Sequence, residues 1–405
     1  MSASIPALPG VGLPISVFDT ASRSNVVPVQ PGESASLYVC GITPYDSTHM
    51  GHAATYLAFD TLQRAWRDGG SHVTYVQNIT DIDDPLLERA AAISEDWQVI
   101  AAREIARFSD DMTSLRVLAP DHYVSVTEHM KGIIEWIDQL LKFDAAYVLE
   151  GDVYFDVSKS EVFGDVSSLD NLTMESVFAE RGGDPKRVGK RNPLDALLWL
   201  AAREGEPSWE AHFGAGRPGW HIECVAIAID YLGGTVSVQG GGKDLIFPHH
   251  EMCNAQAVAS GNVEEFAKAY VHAGMVALDG EKMSKSRGNL VFISSLREQG
   301  IDPMVIRLAI ISHKYCTDWE WTNDDLVNAT QRIAHWQRAL AFQGGADALV
   351  TLAAIRSALA SDLDTPAAIQ AVDEWATATI NGDQSDETAQ GIVARSLDSL
   401  LGIAL

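Results

Sequence analysis

The sequence predicts an α/β fold in which a strand–helix–strand core is split by an insertion and followed by a helical bundle. Residues 37–40 (Leu-Tyr-Val-Cys) and 72–79 read as short buried strands. Between them, residues 48–66 carry Ala53, Leu57, Leu62 and Trp66 near helical spacing. A βαβ unit results, whose natural ligand position is the turn after its first strand. Beyond Ser294 nearly the whole chain has helical patterning, with Gly344-Gly345 marking a turn between helices.

Between these ends, residues 85–144 are expected to be helical, with Pro85 suited to a first helical position after Asp83-Asp84. Residues 147–157 alternate like a hairpin around Gly151-Asp152, and a polar, glycine-rich stretch runs on to about Asn192. A further strand is expected at 235–239, and an apolar stretch follows at 268–278. The division that follows is an N-terminal arm (1–35), a first core half (36–90), an insertion (91–190), a second core half (191–293) and a helical bundle (294–405).

The 405 residues are 46% apolar, a globular composition large enough for two or more cores. The first residues hold no basic segment before an apolar run, and no stretch approaches the ~18 apolar residues of a membrane helix. A cytoplasmic protein with no membrane partner is expected. Cys40, Cys224, Cys253 and Cys316 are too few and scattered for a disulfide framework, so free thiols or metal ligands are expected in a reducing compartment. The formal charge of −26 repels polyphosphates and weighs against nucleic acid as partner.

Two motifs carry chemistry. Residues 40–52 read Cys-Gly-Ile-Thr-Pro-Tyr-Asp-Ser-Thr-His-Met-Gly-His, and residues 282–286 read Lys-Met-Ser-Lys-Ser. A helix N-terminus after a strand offers N–H groups to phosphates, and Gly51 has no side chain to obstruct a nucleotide. His49 and His52, three apart, can face the same phosphates and donate to them as charge builds. Lys282 and Lys285 sit in a glycine-flanked loop able to close over pyrophosphate. Together the motifs resemble the HIGH and KMSKS signatures of the class I aminoacyl-tRNA synthetases, which implies a Rossmann-type core and an ATP-dependent activation step with Mg²⁺ accompanying the ATP.

Within that class the blocks Asn78–Asp84 (NITDIDD), 214–224 (GAGRPGWHIEC) and 240–251 (GGGKDLIFPHHE) resemble the cysteinyl branch. The resemblance implies one zinc ion held by Cys40, Cys224 and His249. Two thiolates and an imidazole suit zinc and leave a position for the substrate thiol, so serine is rejected without editing. It further implies that a cysteinyl adenylate touches Cys40, Gly41, Ile42, Thr43, Gly51, Thr55, Asn78, Ile79, Thr80, Trp220, Gly242, Lys243, Asp244 and Val276. Where that branch has a glutamate four residues after the histidine, this chain has Cys253, which is either a fourth ligand or a small buried thiol. Cys316 reads as a packed thiol. Asp81, Asp83 and Asp84 resemble a hard-metal cluster but are explained more simply by helix capping.

The core does not decide what accepts the activated cysteine. Only 119 residues follow Ser286, and residues 331–405 hold four arginines and no lysine against nine acidic residues, a poor surface for tRNA. Glu180-Arg181-Gly182-Gly183-Asp184-Pro185 resembles the ERGGDP block of the mycothiol ligases, which join cysteine to glucosaminyl-inositol, as do Pro44 and Ala53-Ala54-Thr55-Tyr56. The resemblance implies a ligase acting on L-cysteine, ATP and glucosaminyl-inositol, expected as a monomer. A compact cysteinyl-tRNA synthetase is the alternative. ERGGDP is expected to form part of the acceptor pocket or of a lid over it.

Overall fold

The structure is a computed structural model that describes residues 5–45, 48–278, 280–283 and 289–405, with the main chain alone at Lys282. A small hairpin, β1 (Val17–Asp19) and β2 (Ser24–Val26), precedes the core. The core opens with β3 (Ala35–Ile42), α1 (Met50–Asp68) and β4 (Val73–Ile79), with β3 parallel to β4. The βαβ unit expected from hydrophobic periodicity is therefore present. Side chains on β3 divide by the strand period of two: Leu37 and Val39 enter one apolar cluster, Tyr38 and Cys40 the other.

The region expected to be helical from 85 to 144 is interrupted. Two helices, α2 (Asp84–Ile93) and α3 (Trp97–Ser114), give way to strand β5 (His122–Ser125), which lies parallel to β4, before α4 (Met130–Lys142). Four residues are too few for a periodic signal. β5 is held instead by non-local pairing, begun where Asp121 exchanges hydrogen bonds with Tyr75 through both its backbone and its carboxylate. The expected hairpin is formed by β6 (Ala146–Leu149) and β7 (Asp152–Phe155). The polar stretch after it contains an unexpected helix, α5 (Asn171–Glu180), which buries only Met174 and Phe178 and is capped by Asp170. Strands β8 (Ala196–Ala201) and β9 (Gly216–Pro218) complete a four-stranded antiparallel sheet with β6 and β7.

After α6 (Trp220–Leu232), β10 (Val238–Gly242) begins three residues later than expected and runs into the glycines. A kinked segment at 246–250 leads into α7 (Glu251–Ala259), and β11 (Tyr270–Ala273) closes the five-stranded parallel sheet in the order β11-β10-β3-β4-β5. The apolar stretch 268–278 is cut at Gly274, where a Cβ would lie 2.1 Å from the carbonyl oxygen of Thr317. Its second part, β12 (Val276–Leu278), joins β13 (Glu281–Lys282) and β14 (Trp319–Glu320) in a small separate sheet. Helices α8 (Ile293–Glu298), α9 (Pro303–Ile311), α10 (Asn323–Leu340), α11 (Ala348–Ala360), α12 (Thr365–Ile380) and α13 (Ala389–Ser396) make up most of the C-terminal region. Among the described residues no helix is long and apolar enough to cross a membrane.

A buried ion cluster joins that region to the core. Asp60 on α1 accepts from Arg64 Nε at 2.7 Å, from Arg307 of α9 and from the Leu118 N–H at 2.8 Å. The two guanidiniums also donate to the carbonyl oxygens of Asp398, Leu401, Arg116 and Leu115. Burial alone would raise the Asp60 pKa, but the two arginines and the Leu118 N–H outweigh it and hold the carboxyl below its ordinary value. Asp60→Asn leaves two buried guanidiniums without a counter-charge and should cost about 3–5 kcal/mol. Because the folded pKa is depressed, this stabilisation is present above the unfolded value of about 4 and is lost as pH falls through the folded one. Urea denaturation should therefore separate wild type from Asp60→Asn widely at neutral pH and progressively less in acid.

Candidate active site and metal centre

Cys40 lies near the end of β3, where the register with β4 shifts between Val39 and Ile42. The adjacent Gly41 packs against β4 so closely that a Cβ would lie 1.6 Å from the Asn78 carbonyl oxygen. Its N–H donates to Asn78 Oδ1 at 2.8 Å, which also accepts from the Tyr38 hydroxyl at 3.1 Å. Asn78 Nδ2 donates to Thr80 Oγ1 at 3.1 Å, and the Tyr56 hydroxyl holds the Cys40 carbonyl oxygen at 3.2 Å. The strand end is thus braced from both sides.

Against Cys40 come Cys224, in the second turn of α6, and His249, from the kinked segment before α7. All three are buried, and their donor atoms lie within 4.8 Å of one another, the one such group among the described residues. His249 Nε2 is 3.2 Å from Cys224 Sγ, its Nδ1 is 3.0 Å from His221 Nδ1, and Trp220 stacks on its ring at 4.3 Å. Burial, with Cys40 adding, pushes the Cys224 thiol well above its ordinary pKa. Burial, with His221 adding, holds His249 well below its own, so the imidazole is in its neutral, ligating form. Thiolates in such an apolar setting need a cation for balance, and two sulfurs with one imidazole select a thiophilic divalent ion. The donor set therefore fits a zinc-type metal.

Cys253 is not in the group. Its Sγ faces the His221 carbonyl oxygen at 3.6 Å and burial raises its pKa, which speaks for the packed thiol over a fourth ligand. Asp81 accepts from Thr127, Asp83 from the Asp84 N–H, and Asp84 pairs with Arg217, and among the described residues the three form no metal-binding group.

A cavity of about 540 Å³ opens beside the donor group. Cys40, Gly41, Ile42 and Thr43 line one wall, and His49, Gly51, His52 and Thr55 of the α1 start line another. Trp220, Gly242, Asp244 and Val276 close it. His49 and His52 stack with ring centroids 3.8 Å apart, so the two imidazoles expected to act together do share one surface. The N-terminus of α1 is less open than expected: the Met50 N–H donates to Val291 O and the Gly51 N–H to His49 Nδ1. Asn78, Ile79 and Thr80 are not on the cavity wall: Asn78 packs on Gly41, Ile79 pairs with Ile42, and the Thr80 N–H donates to the Ile42 carbonyl oxygen. Lys243 points elsewhere, to Asp318 at 3.0 Å. Lys282 is placed by main chain alone, in β13 opposite Ala277, and Lys285 lies outside the described residues. Met283 between them is buried and lines the cavity.

Two features were not expected from the sequence, and a third was expected only in outline. His250 Nε2 lies 3.3 Å from Cys40 Sγ, and its Nδ1 meets His272 Nε2 at 2.7 Å, while His272 Nδ1 meets Thr20 Oγ1 at 2.6 Å. The Arg181 guanidinium donates to the carbonyl oxygens of Asp244 and Phe247, so the ERGGDP segment clamps the backbone that carries Asp244 and His249. A second cavity of about 670 Å³ shares Thr43, Tyr45 and Trp220 with the first and runs beneath ERGGDP. The doubled histidine of Phe247-Pro248-His249-His250 offered a sequence signal for the first of these, and the ERGGDP block for the third.

Residues 26–331 match the family described as tRNA synthetases class I (C) catalytic domain. Over its whole length the chain is 55% identical to the L-cysteine:1D-myo-inositol 2-amino-2-deoxy-alpha-D-glucopyranoside ligase of Streptomyces griseus, covering 99% of that relative. The ligase of the same name from Rhodococcus erythropolis is 53% identical over 99% of this chain and 98% of its own. Among solved structures, Mycobacterium tuberculosis methionyl-tRNA synthetase in complex with methionyl-adenylate has a TM-score of 0.63 at 14% identity, over 91% of this chain and 89% of its own. The Agrobacterium radiobacter K84 agnB2 LeuRS in its ternary complex reaches 0.67 at 10% identity, over 93% and 85%. At such identities the likeness speaks for the fold alone.

The donor group makes one prediction. Metal-free protein titrated with Co²⁺ should develop thiolate-to-cobalt absorption, and Cys224→Ser should lose most of it while Cys253→Ser retains it.

Proposed function

The chain belongs to the class I (C) tRNA synthetase catalytic-domain family, in the branch of the L-cysteine:1D-myo-inositol 2-amino-2-deoxy-alpha-D-glucopyranoside ligases, and we propose on that premise that it joins L-cysteine to the amine of glucosaminyl-inositol at the expense of ATP. The observation that carries the reading is the juxtaposition, at the C-terminal end of the central strand β3, of a thiol-selective donor group and a cavity lined by two stacked histidines.

The cysteine carboxylate attacks the ATP α-phosphorus to give cysteinyl-AMP and pyrophosphate, and the acceptor amine then attacks the activated carbonyl to give the amide and AMP. Cys40, Cys224 and His249 would hold the zinc ion. When bound, zinc stabilises a coordinated thiolate, which the hydroxyl of serine, with its much higher pKa, does not match. Asp244 offers a carboxylate to the substrate ammonium, and Trp220 supplies an apolar wall beside its short side chain. His49 and His52 donate to phosphate oxygens as negative charge develops, with Lys282 and Lys285 as the charge clamp on the leaving pyrophosphate. Mg²⁺ accompanies ATP. The strongly acidic C-terminal region supports a small-molecule acceptor over tRNA.

In metal-replete protein with ATP and cysteine, AMP release should depend on glucosaminyl-inositol and be indifferent to tRNA; stimulation by tRNA instead would favour the cysteinyl-tRNA synthetase reading. His52→Asn should lower cysteine-dependent ATP–pyrophosphate exchange by about 10²–10³-fold. Because Arg181 clamps the 244–247 backbone, Arg181→Ala should slow that exchange as well as amide formation, whereas Asp184→Ala should raise the acceptor KM alone.

A further inference from the structure

The cavity beneath ERGGDP opens onto the adenylate cavity, where activation is placed above. It shares Thr43, Tyr45 and Trp220 with the adenylate cavity, and its volume of about 670 Å³ lies within the range of sites for molecules of disaccharide size. Tyr154, Phe178 and Pro218 contribute apolar lining, and Arg203, Arg217 and Asp184 give it groups for hydroxyls.

We infer that this cavity receives the amine acceptor and that Asp83, at its inner wall, is the general base of the amide-forming step. The inference rests on the function proposed above.

Four acidic side chains line the cavity, and three have other situations. Asp84 is paired with Arg217, and Asp184 is held by Lys190 at 2.8 Å and by the Tyr154 hydroxyl. Glu88 is exposed to water. Asp83, partly buried, accepts one hydrogen bond through Oδ1 from the Asp84 N–H at 2.8 Å, and no second hydrogen bond to its side chain is found among the described residues. His221, the imidazole on this wall, is engaged with His249.

The electrostatic setting agrees with this role. Burial raises the Asp83 carboxyl to about 6, with the charges of Asp84 and Glu88 adding, against the lowering pull of the Asp84 N–H and of Arg217 on β9. Glu223 of α6 also faces it, with Asp81 beyond. A base acts best with a pKa near the working pH, and a carboxylate raised in this way is nearer to it than an ordinary aspartate.

The step balances. The nitrogen lone pair of the neutral amine forms the C–N bond, and the carbonyl carbon–oxygen bond to the phosphate breaks with its electron pair leaving on AMP. The excess proton on nitrogen passes to Asp83 and from there to solvent.

The test is a single turnover with cysteinyl-AMP formed on metal-replete protein, started by glucosaminyl-inositol. Asp83→Asn keeps a capping side chain at the start of α2, so the fold is retained. It should slow amide formation by about 10²–10⁴-fold while cysteine-dependent ATP–pyrophosphate exchange persists. The wild-type rate should rise with pH through about 6, that inflection should vanish in Asp83→Asn, and Asp83→Glu should recover part of the rate. Amide formation by Asp83→Asn at the wild-type rate, or a parallel loss of exchange, overturns the assignment of Asp83. Wild type that exchanges pyrophosphate but forms no amide overturns the proposed function itself.

Discussion

Burial of two thiols and an imidazole at one point governs the rest of the site. Cys40 ends a strand in the first half of the core, Cys224 rides on a helix in the second half, and His249 sits on a kinked segment beyond it. Such groups are costly to charge inside an apolar cluster, and a cation bound among them would supply the balancing charge. The polar neighbours of the group hold it in place. Asn78 and Tyr56 fix the strand end, His221 and Trp220 orient His249, and His250 with His272 and Thr20 reaches Cys40 from behind.

Rigidity of that centre depends on contacts far from it. The same helix that presents His49 and His52 at its N-terminus buries Asp60 between two arginines further along, and those arginines grip the C-terminal segment. The bundle is thereby locked to the helix that lines the cavity. Arg181 plays a comparable part from the other side, because its guanidinium ties α5 and the polar turn after it to the backbone between Asp244 and Phe247. The ERGGDP segment is thus also a brace between the antiparallel sheet and the active centre.

Two cavities with a common wall of Thr43, Tyr45 and Trp220 suit a reaction in two stages. An activated carbonyl held at that wall can be met by a second substrate without leaving the first pocket, and the intermediate need not cross bulk water, where it would hydrolyse. The smaller cavity is lined by imidazoles and glycines suited to phosphates, and the larger by aromatic rings and ion pairs suited to a polyhydroxylated ring. This division of chemistry follows the division of the fold into parallel and antiparallel sheets.

Local patterns in the chain determined a good deal. Apolar periodicity located β3, α1 and β4, the turn at Gly344-Gly345 separated α10 from α11, and the motifs around His49 and Lys282 pointed to phosphate chemistry, because each signal is contained within a few consecutive residues. The resemblance of longer blocks named Cys40, Cys224 and His249 together, which spacing alone does not. Tertiary structure decided the remainder: that 122–125 is a strand, that Asn78 to Thr80 support the cavity instead of lining it, that Lys243 turns to Asp318, and that Cys253 packs as a thiol. Each of these depends on a partner distant in the chain, and a side chain's direction is set by what it packs against, information that no short window of sequence contains.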